Sequence, residues 1–148
     1  ATGENAQEVA DAIRDIVQDR AGVFRTIALL EEGVKQILAI EPRVRNIHLK
    51  DKSKVFNTAR VEALEVENLY EVAKATLISA AARKECRGAH TVVDFEESPD
   101  HPAYPYGRRD DEWMKHTLWF SSDNRLEYKP VRYKPLSVAA IPPKPRTF

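Results

Sequence analysis

The chain has 148 residues, and its 23 Lys and Arg residues are balanced by 23 Asp and Glu residues, so the formal net charge at pH 7 is zero. A neutral chain argues against nucleic-acid binding, because phosphate backbones require a basic face, and against a polybasic membrane-surface segment. The single cysteine, Cys86, excludes a disulfide framework and a thiolate-rich zinc site. No apolar run reaches the roughly 18 residues that a membrane-spanning helix needs, so the sequence predicts no membrane insertion.

The first residues of the chain raise the question of its origin. The chain begins Ala1-Thr2-Gly3, and its only methionine is Met114. An intact translation product normally begins with Met, so we expect either a processed chain or a fragment of a longer protein. A helical pattern starts at Asn5 with no leader before it, which favours a fragment.

Three helices are predicted in the first part of the chain from apolar residues at helical spacing. They cover about Ala6 to Asp19, about Ile27 to Ile47 and about Thr58 to Lys84. Pro42 lacks an N–H group and its ring opposes a carbonyl one turn earlier, so we expect the second helix to kink or break near Glu41. The predicted buried positions are Val9, Ile13, Ile16, Val17, Leu30, Val34, Ile37, Val44, Ile47, Val61, Leu64, Val66, Leu69, Val72, Ala73, Leu77 and Ala80.

The second part of the chain has a different composition. Eight of the nine prolines follow Asp94, and two strand candidates, Lys115 to Ser121 and Arg125 to Arg132, flank turn residues. Pro135 to Phe148 is expected to be extended and to lie on another surface. The predicted fold is therefore mainly α: an antiparallel three-helix bundle of the spectrin-repeat kind over residues 1–86, then a small β-hairpin and an extended Pro-rich tail over residues 87–148.

The sequence contains no pattern typical of a catalytic, cofactor or metal site. The four histidines lie far apart, without Cys or carboxylate partners at ligand spacing, and the five glycines are scattered singly rather than gathered in a phosphate-binding loop. Cys86 follows the end of a predicted helix, where the helix dipole disfavours a thiolate, so we interpret it as a structural cysteine. We therefore predict no catalytic, cofactor-binding or metal-binding residue in this chain.

Two polar segments allow more than one interpretation. The run from Arg108 to Glu112 is either a solvated turn with local ion pairs or a binding surface. Arg87 and His90 flank Gly88 just past the longest helix. This corner is either a glycine C-cap with Arg87 neutralising the helix end, or a place where both side chains are presented to a neighbouring surface.

Five short segments, taken together, resemble motifs of a known family. They are Phe56-Asn57-Thr58-Ala59-Arg60-Val61-Glu62 with Glu67-Asn68-Leu69; Arg83-Lys84-Glu85-Cys86-Arg87-Gly88-Ala89-His90 with Asp94-Phe95; Arg109-Asp110-Asp111 with Lys115-His116-Thr117-Leu118; Leu126-Glu127-Tyr128-Lys129-Pro130-Val131; and Pro142-Pro143-Lys144-Pro145-Arg146-Thr147-Phe148. In this order they resemble the C-terminal helical domain and tail of the flavoprotein subunit of succinate dehydrogenase and fumarate reductase.

The chain departs from the family pattern at two places. Val92 stands where the family commonly has a second Arg, so any contact that this Arg makes is absent or supplied otherwise. The segment Glu97 to Gly107 is longer and richer in Pro and Tyr than in many members, and we expect a surface loop there.

The resemblance implies a structural role for this chain. In the family, an upstream domain binds FAD, and the dicarboxylate lies between that domain and a capping domain, where hydride passes from succinate to the flavin. None of those motifs is in this chain, so the resemblance implies no cofactor here and FAD in the full-length subunit. The helices are expected to pack on the FAD domain, with an interdomain interface formed by Arg87, Gly88, His90, Arg109, Asp110 and His116.

The resemblance also implies partners and a location. The expected partners are the FAD-binding and capping domains of the same subunit and the iron–sulfur subunit. The expected place is the cytoplasmic side of the bacterial inner membrane, or the matrix side in mitochondria. Self-association of the isolated chain is expected if its apolar surface is uncovered. The alternatives are an independent helical adapter that binds proteins, or a C-terminal fragment of fumarate reductase or of L-aspartate oxidase. The segments Leu126–Val131 and Pro142–Phe148 favour the dehydrogenase.

Overall fold

The computed structural model describes residues 3–144, and this part of the chain is mainly helical with two small sheets. The helices are α1 (Ala6–Arg20), α2 (Ile27–Ala39), α3 (Glu41–Arg45), α4 (Thr58–Ala82) and the short α5 (Asp110–Trp113). The strands are β1 (Phe24–Arg25), β2 (Thr91–Val92), β3 (Lys115–Trp119) and β4 (Leu126–Pro130), and two 3₁₀ turns cover Val93–Phe95 and Pro105–Gly107. No helix within residues 3–144 is long and apolar enough to cross a membrane.

Polar side chains cap the first turns of the three long helices. The Asn5 side chain accepts hydrogen bonds from the backbone of Gln7 at 2.8 Å and Glu8 at 3.2 Å. Thr26 caps α2 in the same way, and Asn57 caps α4. Each cap satisfies N–H groups that the helix itself leaves without partners, which is why the helices begin where they do.

The predicted break in the second helix is confirmed. The helical segment α2 ends at Ala39, and α3 starts two residues later at Glu41, with Pro42 in its first turn. Proline is tolerated there because first-turn N–H groups have no partner inside the helix. Ile40 lies between the two helices and is the C-cap of α2 and the N-cap of α3.

The hydrophobic core lies where α1, α2 and α4 pack against one another. Most predicted core positions are buried or half-buried in it, but the prediction was wrong for Val61, Leu64 and Val72, which are 56%, 58% and 65% exposed. Successive helical residues are about 100° apart, so Val72 lies on the opposite side of α4 from the buried Tyr70 two positions earlier. The apolar face of α4 is therefore broader than the surface that α1 and α2 cover.

The two sheets differ in how well the sequence predicted them. Strands β3 and β4 pair antiparallel, with Thr117 opposite Tyr128, which confirms the hairpin, although both strands end two residues earlier than predicted. Strands β1 and β2 pair in parallel and join the α1–α2 connection to the segment after α4. Nothing in the sequence pattern indicated this sheet, because two-residue strands carry no periodicity.

The last described part of the chain, residues 131–144, contains no helix or strand, and it is exposed from Arg132 onward. The tail from Pro135 to Phe148 is predicted to be extended, and residues 145–148 of it lie outside the described residues.

Candidate interdomain interface

The fully buried carboxylate of Glu85 organises the corner that follows α4. Its Oε1 accepts hydrogen bonds from Arg83 at 2.8 Å and from Arg87 at 2.7 Å. Its Oε2 accepts from Arg87 at 3.1 Å and from the backbone N–H of Arg109 at 2.9 Å. A carboxylate removed from water is tolerated only when it is paired in this way, so the corner depends on Glu85.

Arg83 fastens the β-hairpin to the end of α4. Besides Glu85, its guanidinium donates to the carbonyl of Trp113 at 2.9 Å and to the carbonyl of Lys115 at 2.8 Å. It also donates to the Thr117 hydroxyl at 3.0 Å and lies over the Trp113 ring. In the structure it joins three chain segments.

A second carboxylate, Asp110, pairs with Arg87 and with one further arginine, Arg108. Arg87 and Arg108 each donate to one of its oxygens at 2.6 Å. Partial burial raises the pKa of the Asp110 carboxyl, but the hydrogen bonds from Arg108 and Arg87 outweigh this effect and lower it from its ordinary value. The run from Arg108 to Glu112 therefore contains a local ion pair between Arg108 and Asp110, and Asp110 also reaches back to Arg87 in the corner.

The turn from Arg87 to His90 is closed by two backbone hydrogen bonds, both 2.9 Å, between these residues. Gly88 has a positive φ of 57°, which side-chain-bearing residues rarely adopt, and its side-chain position is open to solvent. The structure thus has a tight hairpin-type turn here, and the Arg87 guanidinium donates to Glu85 and Asp110 within the corner.

His90 connects this turn to the first half of the chain. Arg25 donates to His90 Nδ1 at 3.0 Å, and because arginine has no acceptor, the imidazole proton lies on Nε2. Nε2 then donates to the Arg83 carbonyl at 2.9 Å. Burial, followed by the nearby charges of Arg25 and Arg83, lowers the pKa of His90 despite the Arg83 carbonyl.

Cys86 and Gly107 close the inner side of the corner. The Cys86 thiol donates to the Val92 carbonyl at 3.2 Å and accepts from the Val92 N–H at 3.3 Å. Burial raises the pKa of this thiol, which supports its interpretation as a structural cysteine. Gly107 has a φ of 76°, and a side chain there would overlap the Phe95 carbonyl.

The structure brings together four of the six residues predicted for the interface. Arg87, His90, Asp110 and the backbone of Arg109 all belong to the corner around Glu85. Gly88 forms the exposed tip of its turn, and His116 is exposed on β3 between two residues whose polar atoms bind Arg83.

Three residues that organise the corner were missing from the prediction: Arg25, Arg83 and Glu85. For Arg83 and Glu85, the indication in the sequence was their place in the family-like motif ahead of Gly88. Arg25 carried no signal, because its partner is 65 positions away. Within residues 3–144, no group of three or more His, Cys, Asp or Glu side chains is placed to hold a metal ion.

These observations define a mainly helical domain with a small β-hairpin and an ion-paired corner around a buried carboxylate. The family model described as "Fumarate reductase flavoprotein C-term" matches residues 10–148. The chain is 37% identical to the succinate dehydrogenase flavoprotein subunit of Coxiella burnetii, covering 97% of this chain and 22% of that protein. It is 44% identical to the corresponding subunit of Rickettsia bellii, covering 89% of this chain and 21% of that protein.

Solved structures agree with these sequence matches. A quinol fumarate reductase of E. coli superimposes with a TM-score of 0.76 at 28% identity, covering 95% of this chain and 23% of that chain. A second structure, of quinol-fumarate reductase with menaquinol molecules, has the same TM-score at 31% identity and covers 96% of this chain and 23% of that chain. The chain belongs to the family of C-terminal domains of succinate dehydrogenase and fumarate reductase flavoprotein subunits. It spans about a fifth of the length of the curated relatives it matches.

Proposed function

We propose that the chain is the structural C-terminal domain of a succinate dehydrogenase flavoprotein subunit and carries no catalytic residue. In this proposal FAD is bound by the upstream part of the subunit, where succinate is oxidised to fumarate and electrons pass on toward quinone. The names of the curated relatives support the dehydrogenase, whereas the two solved structures support fumarate reductase as the alternative direction of the same reaction.

The observation that carries the proposal is the amount of large apolar surface exposed on this chain. Phe56 is 100% exposed, and Val23 and Phe24 are 74% and 73% exposed. Leu136 and Ile141 in the tail are also fully or largely uncovered. Exposed apolar groups of this size are typical of surfaces that another protein covers. We infer that the FAD-binding and capping domains cover them, and that the isolated chain self-associates when they are absent.

The finer architecture belongs to the same proposal. Helices α1, α2 and α4 form an antiparallel three-helix bundle of the spectrin-repeat kind within residues 1–86, and residues 87–148 provide the hairpin and a tail that lies along a neighbouring domain. The interdomain interface includes Arg87, Gly88, His90, Arg109, Asp110 and His116. The iron–sulfur subunit is a further partner, and the complex lies peripherally on the cytoplasmic face of the bacterial inner membrane or on the mitochondrial matrix side.

The test is a co-purification. The tagged chain is co-expressed with a flavoprotein subunit truncated just before this domain, and the captured material is assayed for flavin absorbance and for electron transfer from succinate to a dye. We expect association with both signals recovered. A chain that stays monomeric at high concentration and captures neither flavin nor activity would contradict the proposal. That result would favour the alternative of an independent helical adapter.

A further inference from the structure

The guanidinium of Arg109 is held in place by aromatic rings. Its central carbon lies 4.5 Å from the centroid of the Tyr104 ring and 5.2 Å from that of the Phe95 ring. Tyr104 is itself held by a 3.3 Å hydrogen bond to Asp111 and by stacking on His101, with ring centroids 5.6 Å apart. Contacts between a cation and aromatic faces favour such an arrangement, so the charged end of Arg109 has a defined position at the corner.

This guanidinium has no hydrogen-bonded or ion-paired partner within residues 3–144. Its Nε is buried without a partner, and the one hydrogen bond that Arg109 donates to a side chain comes from its backbone N–H, to Glu85. Leaving a buried donor unpaired is unfavourable, and more so when the group is charged. The aromatic rings thus hold the guanidinium in place, but its Nε donor has no acceptor within residues 3–144.

The two carboxylates that organise the corner, Glu85 and Asp110, are already occupied. In Glu85, Oε1 accepts hydrogen bonds from Arg83 and Arg87, and Oε2 accepts from Arg87 and the Arg109 backbone. Both oxygens of Asp110 accept from Arg87 and Arg108. Two carboxylates are therefore shared by three guanidinium groups, and Arg109 adds a fourth positive charge that these two acids do not neutralise.

We propose that Arg109 docks an aspartate or glutamate side chain from the flavin-binding part of the subunit, an inference that rests on the proposed function. The planar guanidinium presents paired N–H groups that match a carboxylate, and a pair of this kind is both directional and charge-assisted. Arg87 is less suited to this contact because its donors already bind Glu85 and Asp110. His90 is likewise occupied by Arg25 and by a carbonyl.

The test uses the full-length flavoprotein subunit that contains this domain, carrying Arg109→Lys. A lysine keeps the charge and can be joined to a carboxylate in contact with it by a carbodiimide, which leaves an amide bond with loss of water. Mass spectrometry of the digested subunit then identifies the acidic residue. Arg14→Lys is the matched control, because Arg14 is exposed on α1 and paired with Asp11 at 2.9 Å.

We expect the Arg109→Lys subunit to yield a crosslink from position 109 to an Asp or Glu upstream of this domain, and the Arg14→Lys subunit to yield only its local link to Asp11. The crosslink yield should fall as salt is raised, because screening weakens partly exposed ion pairs. Links from position 109 that stay within these 148 residues, or no link while the control forms its own, would overturn the inference. The co-purification result would be unaffected by that outcome, so the two failures are distinguishable.

Discussion

Arg25 donates a 3.0 Å hydrogen bond to the imidazole of His90, which lies 65 positions later in the chain. This contact ties the connection between α1 and α2 to the turn after α4, next to the parallel pairing of β1 and β2. It requires a neutral imidazole, because a protonated Nδ1 would point a proton at a guanidinium. The connection between the two halves of the chain is therefore sensitive to pH.

We expect the free energy of unfolding to fall as the pH drops below 6.5, the ordinary pKa of histidine. Burial lowers the pKa of folded His90, so the unfolded chain takes up this proton first. The stability that His90 contributes is fully present above its ordinary pKa of 6.5. It is lost as the pH falls through the lowered pKa of His90 in the folded chain. Urea unfolding between about pH 7 and pH 5 measures this slope.

A pair of histidine variants makes the pH experiment specific. His90→Gln should flatten the slope in this range, whereas His116→Gln, at an exposed position of β3, should leave it as in the unmodified chain. Equal slopes in all three proteins would show that His90 does not couple folding to protonation.

Glu85→Gln should lower the free energy of unfolding by about 3 kcal/mol or more, since removing one member of a buried ion pair leaves its partners uncompensated. The substitution keeps the size of the side chain but removes the charge that faces Arg83 and Arg87. Glu62→Gln, at an exposed position of α4, is the control and should change stability by less than about 0.5 kcal/mol. Similar urea midpoints for the two variants would contradict this account of the corner.

Gly107→Ala should destabilise the chain more than Gly88→Ala. Both glycines have a positive φ, which costs a residue with a side chain about 1–2 kcal/mol. At Gly107 the new methyl group also overlaps the Phe95 carbonyl, whereas at Gly88 nothing lies within 4 Å. Thermal unfolding of the two variants separates the shared backbone cost from the overlap, and equal melting temperatures would mean that the segment beside Phe95 shifts at no cost.

Phe56→Asn should leave folding intact but weaken association with the truncated subunit. Phe56 has a φ of 49° and buries no surface, and asparagine tolerates this conformation better, so stability should be unchanged or higher by about 1 kcal/mol. If Phe56 is an apolar anchor, affinity should fall at least about tenfold, or 1.4 kcal/mol. Lys52→Asn, an exposed change in the same loop, is the control. Equal affinities for the two variants would remove Phe56 from the interface.

The parts of the structure that the sequence predicted are those with short-range causes. The start of α1 at Ala6, the break at Pro42 and the β3–β4 hairpin each depend on residues a few positions apart. The parts it did not predict depend on distant partners. The sequence does not show whether Glu85 is buried or solvated, and the backbone N–H of Arg109 reaches this carboxylate only in the folded chain. The outer side of α4 was misassigned for a related reason, because apolar periodicity does not show which side a neighbour covers.

One further contact links the two halves of the chain. The N–H of Ile27, the first residue of α2, donates to the Asp94 side chain at 2.9 Å across 67 positions. The first turn of α2 is thus completed by a side chain that follows α4 and the Arg87 turn in the sequence. Opening of the segment around Asp94 therefore also releases the start of α2, so amide hydrogens in both places should exchange with solvent at the same rate, as one cooperative unit.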